Sequence, residues 1–203
     1  MNSNYDIPLV FLRNMELTPV SNITIKLHED DQTSKKVSYY NIFNGTQTGF
    51  KFWTPSMYVP FGLEEEYGNY VLKLCFEGVK NRSNPDMILF QTWVKELESH
   101  LKTLLKITPT HYLSQIRYSP RFDDLLITKL STSFVGSGEQ KRKIINTAIT
   151  NPDGSPATSF QIEKRCHLKC LLTISQCWPI TRKKSSVTEY VTKFTVDKIH
   201  LIS

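Results

Sequence analysis

Residues 83–105 read SNPDMILFQTWVKELESHLKTLL, and this stretch decides how the rest of the chain is interpreted. Residues 83–86 supply a capping residue, a proline suited to the first helical turn and an acid near the positive end of the helix dipole. From Phe90 onward, apolar residues recur at spacings of three and four, which is typical of one face of an α-helix. The stretch predicts an amphipathic helix from Pro85 to about Leu105 whose aromatic stripe lies in the core.

The regions on both sides of this helix are rich in β-branched and aromatic residues and alternate as strands do. Residues 151–154, Asn-Pro-Asp-Gly, are a strong turn signal between two such regions, at 144–149 and 158–162. We therefore expect an extra β-hairpin at this turn. The other predicted strands are 23–27, 37–43, 50–53 and 70–76 before the helix, and 125–130, 166–178 and 190–201 after it.

The order of these elements narrows the fold class. About three strands, one helix and then further strands is the order of a five-stranded oligonucleotide-binding (OB-fold) barrel, in which we expect the helix between the third and fourth barrel strands. A jelly roll gives no reason for a long central helix, and a parallel α/β fold needs several helices. No repeat or low-complexity linker divides the chain. We predict a mainly β protein, one OB-fold-type barrel domain over residues 1–203 with one central amphipathic helix and the extra hairpin.

Composition excludes several protein classes. Of the 203 residues, 39% are hydrophobic and 22% are charged, which suffices for a folded core and argues against disorder across the chain. No apolar run approaches the length of a transmembrane helix, so we expect no membrane partner. The apolar patch at residues 7–12 is too short and too charged at its flanks for a secretory signal. We therefore expect an intracellular protein.

Positive charge is concentrated in the second half of the chain. Residues 1–100 carry nine Lys+Arg and twelve Asp+Glu, whereas residues 101–203 carry sixteen and seven, so the halves differ in sign. Two tight basic clusters, at 141–143 and 182–184, lie in the basic half. Such asymmetry on a folded domain favours a polyanionic partner. The alternative is that these lysines and arginines are solvated loop residues that maintain solubility.

Patterns that carry catalysis or bind metals are missing from the sequence. The five histidines are scattered, and neither an HExxH motif nor a GxSxG motif occurs. The four cysteines form no CxxC pair, and Cys166 and Cys170 would lie about 13 Å apart along one strand, too far to share a zinc ion. We expect no enzyme, no cofactor and no metal, with the cysteines acting as small apolar side chains in a reducing compartment.

An aromatic stretch interleaved with lysine points to nucleic-acid binding. In an alternating strand over residues 50–53, Phe50 and Phe52 share one face, and Lys51 and Trp53 share the other. If the two phenylalanines lie in the core, Trp53 faces outward as a base-stacking platform and Lys51 as its phosphate partner. The alternative is that Trp53 covers one end of the barrel.

Residues 54–63, Thr-Pro-Ser-Met-Tyr-Val-Pro-Phe-Gly-Leu, resemble a segment of the single-stranded DNA-binding proteins of nucleocytoplasmic large DNA viruses, to which the poxvirus protein is a distant relative. At the level of pattern the resemblance extends over residues 50–201, and it includes the late strand ending at Trp178 and the basic residues 182–184. The resemblance implies an OB-fold barrel that coats single strands during viral replication. Relatives can carry an acidic tail, whereas this sequence ends at Ser203 without one, so we do not expect recruitment of replication enzymes through such a tail.

We therefore predict a non-enzymatic protein that coats and protects single-stranded DNA in viral DNA replication, recombination or repair. One alternative is an RNA-binding or RNA polymerase accessory barrel, and another is a basic structural virion protein. Viral replication proteins and a second copy of the chain are further candidate partners. The expected location is the cytoplasmic viral factory or the nucleus of the host, with packaging in the virion left open. The predicted phosphate contacts are Lys51, Lys141, Arg142, Lys143, Arg182, Lys183 and Lys184, and the predicted stacking residues are Trp53, Tyr58 and Trp178.

Overall fold

A computed structural model describes residues 17–30, 37–108, 111–181 and 187–202 of the protein. The helix and strands, in chain order, are β1 (Ile23–Asp30), β2 (Val37–Asn44), β3 (Gln47–Thr48), β4 (Phe50–Trp53), β5 (Met57–Val59), β6 (Leu63–Glu66), β7 (Asn69–Cys75), α1 (Pro85–Leu105), β8 (Tyr112–Leu113), β9 (Ile116–Arg117), β10 (Leu125–Leu130), β11 (Thr132–Val135), β12 (Arg142–Ile145), β13 (Ala148–Thr150), β14 (Cys166–Ile174), β15 (Gln176–Thr181), β16 (Thr188–Thr192) and β17 (Thr195–Leu201).

A closed ring of strand pairs forms the barrel. Strand β14 pairs with both β4 and β5, β5 pairs with β7, β7 with β10, β10 with β17, and β17 returns to β14. Every pair in the ring is antiparallel except β10–β17, which is parallel. Closure gives β5, β7, β10, β14 and β17 a neighbour on both sides, whereas β4 pairs only with β14 among the described strands. Most of the free edges that an open sheet would present are thus removed. The predicted OB-fold-type barrel is confirmed.

Strands β4 and β5 act as one barrel strand with a break in the middle. The break begins at Thr54, whose backbone N–H donates to the Cys170 carbonyl at 2.8 Å. The Thr54 hydroxyl oxygen accepts the N–H of Cys170 at 3.0 Å, so the ladder to β14 continues through a side chain. Pro55 follows and has no N–H with which to extend the ladder. The pairing of β4 with β14 ends at this break. After it, β5 pairs with β7 as well as with β14.

Helix α1 has the predicted boundaries. The Asn84 side chain accepts the Met87 N–H at 3.1 Å as the N-cap, and Lys106 ends the helix in the left-handed conformation. The buried face packs on the barrel, and the Trp93 indole donates to the Thr18 carbonyl at 2.8 Å. No helix in the described segments is long and apolar enough to cross a membrane.

The position of α1 in the barrel differs from the prediction. The helix connects β7 to β10, the second and third strands of the ring, and not the third and fourth. The reason is that β1, β2 and β3 belong to a second sheet, in the order β1-β2-β15-β16-β8 with β3 on β2. Alternation marks a strand but does not show which sheet the strand joins.

Two long predicted strands are each divided. The stretch 166–178 breaks at Ser175, whose carbonyl accepts the Ile42 N–H at 2.9 Å, and the chain then crosses into the second sheet as β15. Because the break shifts the alternation, Cys177 is buried and Trp178 does not continue the buried face of β14. The stretch 190–201 divides in the same way into β16 and β17.

The extra hairpin is present, but it lies at another place. It consists of β11 and β12, and its tip contains Gly136, where a Cβ would lie 2.6 Å from the Gln140 carbonyl oxygen. The turn at residues 151–154 forms as predicted, with the Gly154 N–H donating to the Asn151 carbonyl at 2.9 Å. Residues 158–162, however, form a capped 3₁₀ turn, and β13 pairs in parallel with β17. Across the turn the described residues form only one antiparallel bridge, between Thr150 and Pro156, and the Ala157 N–H donates to the Ile149 carbonyl at 2.8 Å.

Candidate nucleic-acid interface

The outer face of β4 carries the first two predicted contacts. Phe50 and Phe52 are buried, and the Phe52 ring lies 4.7 Å from the Trp93 ring of α1. Lys51 and Trp53 face outward, and Trp53 is 41% exposed beside Leu171 of β14. The predicted division of faces is confirmed. The role of Trp53 in base stacking stays a prediction.

Lys51 has an acidic partner within the protein. Its amine lies 2.6 Å from the Oδ2 of Asp197 on β17. The same oxygen accepts the Thr173 hydroxyl at 2.6 Å. The positive charge of Lys51 is therefore balanced locally, although its side chain is largely exposed.

Lys129 on β10 lies next to two other lysines. Its N–H donates to the Phe194 carbonyl at 2.9 Å, beside Lys193, and it pairs with Val71, next to Tyr70, whose ring centroid lies 6.0 Å from Lys143 Nζ. We call Lys129, Lys143 and Lys193 the lysine cluster. Lys129 is half-buried, and its pKa is lowered, first by burial and then by the positive charges of Lys193 and Lys143, with Glu66 acting in the opposite sense. Mutual repulsion of amines makes such a place attractive to an anion. Lys129 and Lys193 were not predicted as contacts, because each is isolated from other basic residues in the sequence.

Aromatic rings lie on both sides of the lysine cluster. Lys143 Nζ is 6.0 Å from the ring centroids of Tyr70 and Phe134. Phe134, on the extra hairpin, is 60% exposed and also has Lys141 Nζ at 4.7 Å from its ring. On the other side, Lys193 Nζ lies 5.5 Å from the Trp178 ring. Cations and rings thus alternate from the hairpin to the second sheet.

Trp178 belongs to a stack of rings on the second sheet. Its ring packs on Tyr39 at 4.5 Å with the planes 28° apart, and Tyr39 in turn lies 4.7 Å from the ring of His28. A base could extend this stack only from a ring surface that these neighbours leave uncovered. The stacking role of Trp178 stays a prediction.

The predicted contacts on β4 and the lysine cluster share the outer surface of the barrel. Lys51 pairs with Thr173, Thr173 with Thr195, and Thr195 with Lys129, each on the neighbouring strand. Directly paired residues point to the same face, and three strand spacings amount to about 15 Å. Arg142 is exposed on β12. The predicted contacts Arg182, Lys183 and Lys184 lie outside the described residues.

Tyr58 lies in a separate groove farther along the barrel. Its ring is 5.3 Å from that of His167, and it pairs with Cys75 on β7. The groove has a volume of about 510 Å³, and one wall is Phe122, which is 75% exposed. The Lys80 amine holds the loop below Phe122 through the carbonyls of Ser119 and Phe122. The groove is lined by Tyr58, Pro60, Phe61, Cys75, Glu77, Ser119, Phe122, Asp123, Leu125 and Arg165.

Acidic residues of β6 engage one lysine of β7. Lys73 Nζ lies 2.9 Å from Glu64 and 2.6 Å from Glu66, and its amine is 5.5 Å from the Phe61 ring. The hydrogen bond from Lys73 holds the pKa of Glu66 below its usual range. These acids therefore serve an internal ion pair. The described segments contain no group of three or more side chains arranged to hold a metal ion.

The cysteines are all free thiols. Cys75, Cys170 and Cys177 are buried, and Cys166 is half-buried. Burial raises the pKa of Cys75 and of Cys177 to about 11, so both thiols are neutral at physiological pH. Neutral, enclosed thiols are poor nucleophiles and poor metal ligands.

Comparison with known proteins gives similarities of fold. No family model matches the sequence, and no curated protein matches it. Among solved structures, gp2.5, a single-stranded DNA-binding protein encoded by bacteriophage T7, is 11% identical with a TM-score of 0.48, covering 76% of this chain and 87% of that one. The single-stranded DNA-binding protein from bacteriophage Enc34 is 11% identical with a TM-score of 0.43, covering 87% of this chain and 89% of that one. A C-terminal truncation of the Enc34 protein is 10% identical with a TM-score of 0.43 and covers 87% and 94%.

Proposed function

We propose that this protein binds single-stranded DNA without catalysing a reaction, through stacking of bases on exposed aromatic rings and contacts from lysines to phosphates. The observation that carries this function is the lysine cluster, with Phe134 on one side and Trp178 on the other. Its support comes from the side chains of this chain and not from the similarity of fold.

The chemistry of the surface favours a single strand over a duplex. Bases in a single strand can unstack and lie on an aromatic side chain, and each such contact contributes about 1–3 kcal/mol. In a duplex the faces of the bases are covered, so only the phosphate contacts remain. A surface on which aromatic rings alternate with lysines can contact both the bases and the phosphates of a single strand, and both kinds of contact strengthen binding.

We extend this function to the coating and protection of single strands in viral DNA replication, recombination or repair. Support for the viral setting is the resemblance of residues 54–63 to the proteins of large DNA viruses. Such a role would place the protein in the cytoplasmic viral factory or the nucleus of an infected cell, where replication proteins and further copies of the chain are candidate partners.

Competition binding tests the function directly. A labelled single-stranded DNA is bound to the protein and competed with unlabelled single-stranded DNA, single-stranded RNA and duplex DNA of equal length. We expect the duplex to compete at least about tenfold more weakly than single-stranded DNA, because it offers no free base faces. RNA that competes better than DNA would favour an RNA-binding barrel, since only a contact to the 2′-hydroxyl distinguishes the two at a given site. Equal competition by duplex would favour a structural protein that touches packaged DNA.

A further inference from the structure

The groove that contains Tyr58 lies on the same strand pair as the lysine cluster. On the outer face of β7 and β10, Cys75 pairs with Leu125 in the groove, and Val71 pairs with Lys129 at the cluster. Cys75 and Val71 are four residues apart on one strand, which corresponds to about 13 Å. Val71, Cys75 and Lys73 between them are buried, and the Lys73 amine is held by Glu64 and Glu66. A single strand that contacts the cluster therefore reaches the groove within a few nucleotides by passing over the residues that cover β7, beside this ion pair.

The walls of the groove are aromatic and its rim is polar. Tyr58, Phe61 and Phe122 provide flat apolar surfaces around a space of about 510 Å³. Burial raises the pKa of the Cys75 thiol to about 11, so this part of the lining is uncharged at physiological pH. Flat, uncharged walls suit a planar heterocycle better than they suit a phosphate or a flexible aliphatic chain.

Two carboxylates on the rim are placed as acceptors. Asp123 Oδ2 accepts the N–H of Gly78 at 3.1 Å, and Glu77 Oε2 lies 3.2 Å from His167 Nε2. These contacts orient the side chains, and each carboxylate has a second oxygen that can accept a hydrogen bond. Arg165, also on the rim, can meet the phosphate of the nucleotide whose base enters the groove.

We infer that this groove binds one base of the single strand and prefers a base with an exocyclic amino group, cytosine over thymine. Carboxylates accept from the N4 amine of cytosine, whereas thymine presents the O4 acceptor at the equivalent position, which a carboxylate repels. The base preference presupposes the proposed binding of single-stranded DNA and adds a specificity that the lysine cluster, which contacts phosphates, cannot provide.

The test compares oligo-dC with oligo-dT of equal length, because both are pyrimidines of similar size. Fluorescence anisotropy at pH 7.5 should show that the unmodified protein binds oligo-dC about fivefold more tightly, the lower end of the range for recognition of a base edge. The double variant Glu77→Gln with Asp123→Asn keeps an acceptor for the Gly78 N–H but adds amide donors. We expect it to lose the preference while it retains its melting temperature.

Two further variants isolate the groove. Glu96→Gln removes one negative charge from the exposed face of α1, and we expect it to keep the preference for oligo-dC. Phe122→Leu removes an aromatic wall and should weaken binding to both oligonucleotides about fivefold or more, since a base can no longer stack there.

The outcomes separate this inference from the proposed function. Equal affinity for oligo-dC and oligo-dT in the unmodified protein, with single-strand binding intact, would overturn the base preference alone. A preference that survives in the Glu77→Gln, Asp123→Asn double variant would also overturn it. If the unmodified protein did not bind single-stranded DNA at all, the proposed function itself would be overturned. Unchanged DNA affinity in Phe122→Leu, together with binding of a basic, apolar peptide that this variant weakens, would assign the groove to a protein partner instead.

Discussion

The amine of Lys51 lies 2.6 Å from the carboxylate of Asp197, and the hydroxyl of Thr173 donates to the same carboxylate oxygen. These three residues come from β4, β17 and β14, which are neighbours around the barrel. A cation that the sequence presents as a free phosphate contact is therefore already paired across the strands. A phosphate must compete with Asp197 for this amine.

Removal of that competitor should strengthen DNA binding. In Asp197→Asn, the amide oxygen can still accept the Thr173 hydroxyl, and Lys51 becomes available to a phosphate. We expect tighter binding to single-stranded DNA and a slope of log K against log salt that is steeper by about 0.7, the value for one added phosphate contact on a single strand. Asp153→Asn, in the exposed turn at residues 151–154, is the charge-matched control. Weaker binding by Asp197→Asn would place the DNA path away from β4.

The lysine cluster should control the dependence of binding on salt. Lys143→Ala with Lys193→Ala removes two cations from the cluster and leaves the half-buried Lys129 in place. We expect the salt slope to become shallower by about 1.4, because two phosphate contacts are lost. The loss of affinity should be similar on every base sequence, since phosphates carry no sequence information. Lys26→Ala with Lys95→Ala removes two exposed lysines of β1 and α1, and an equal change in this control would show that net charge alone is responsible.

Substitution of Trp53, on the outer face of β4, and of Trp93, on α1, should have opposite effects on DNA binding and on stability. Trp53→Ala should weaken single-strand binding by about 1–3 kcal/mol with little change in melting temperature, because the side chain is partly exposed and lies on the outer face. Trp93→Ala should destabilise the fold by about 3–5 kcal/mol, because the side chain is buried against Phe52. Thermal unfolding and anisotropy on the same samples check both values. A large loss of stability in Trp53→Ala, with binding retained by the folded fraction, would contradict a stacking role.

The ion pair between Lys73 and Glu66 should make stability depend on pH. Because the hydrogen bond from Lys73 lowers the pKa of Glu66 in the folded state, this carboxylate contributes stability above its ordinary pKa and loses the contribution as the pH falls through the lowered value. Lys73→Met should therefore lower the melting temperature at pH 7, by about 2–4 °C for a loss on the order of 1 kcal/mol. The difference between the variant and the unmodified protein should shrink at pH 3. A difference that is constant from pH 7 to pH 3 would mean that the effect of Lys73 is one of packing.

Local signals in the sequence were sufficient for the helix and for individual strand faces. The cap at residues 83–86 and the apolar period of 3.6 residues define α1 within its own sequence, and the alternation of residues 50–53 separates the faces of β4. The position of α1 between the second and third barrel strands was not predictable in this way. It depends on which distant strands pair, and pairing is not encoded by the period of any single strand.

The residues of the candidate interface were also only partly predictable from the sequence, because most of them are brought together by strand pairing. Residues 141–143 are three adjacent basic residues and therefore predict one phosphate-binding cluster. Neighbours on a strand point to opposite faces, however, so Arg142 and Lys143 of β12 diverge. Lys129 and Lys193 are separated by more than sixty positions and meet only because β10 and β17 pair side by side. The residues that lie around Phe122 and Phe134 likewise come from other segments of the chain. Exposed single aromatics have no sequence pattern that distinguishes them from core residues.

The hydrogen bond between Thr54 and Cys170 joins residues that are 116 positions apart, and it lies where β4 and β5 meet β14 to close the barrel. A chain must lose considerable conformational entropy before contacts so distant in sequence return any energy, so folds dominated by them assemble in milliseconds to seconds rather than microseconds. Helix α1 and the hairpins can form early, whereas β5 and β14 keep unpaired edges until this closure occurs. Refolding from denaturant should thus pass through a stage that aggregates at high protein concentration, and dilution should improve the recovery of folded protein.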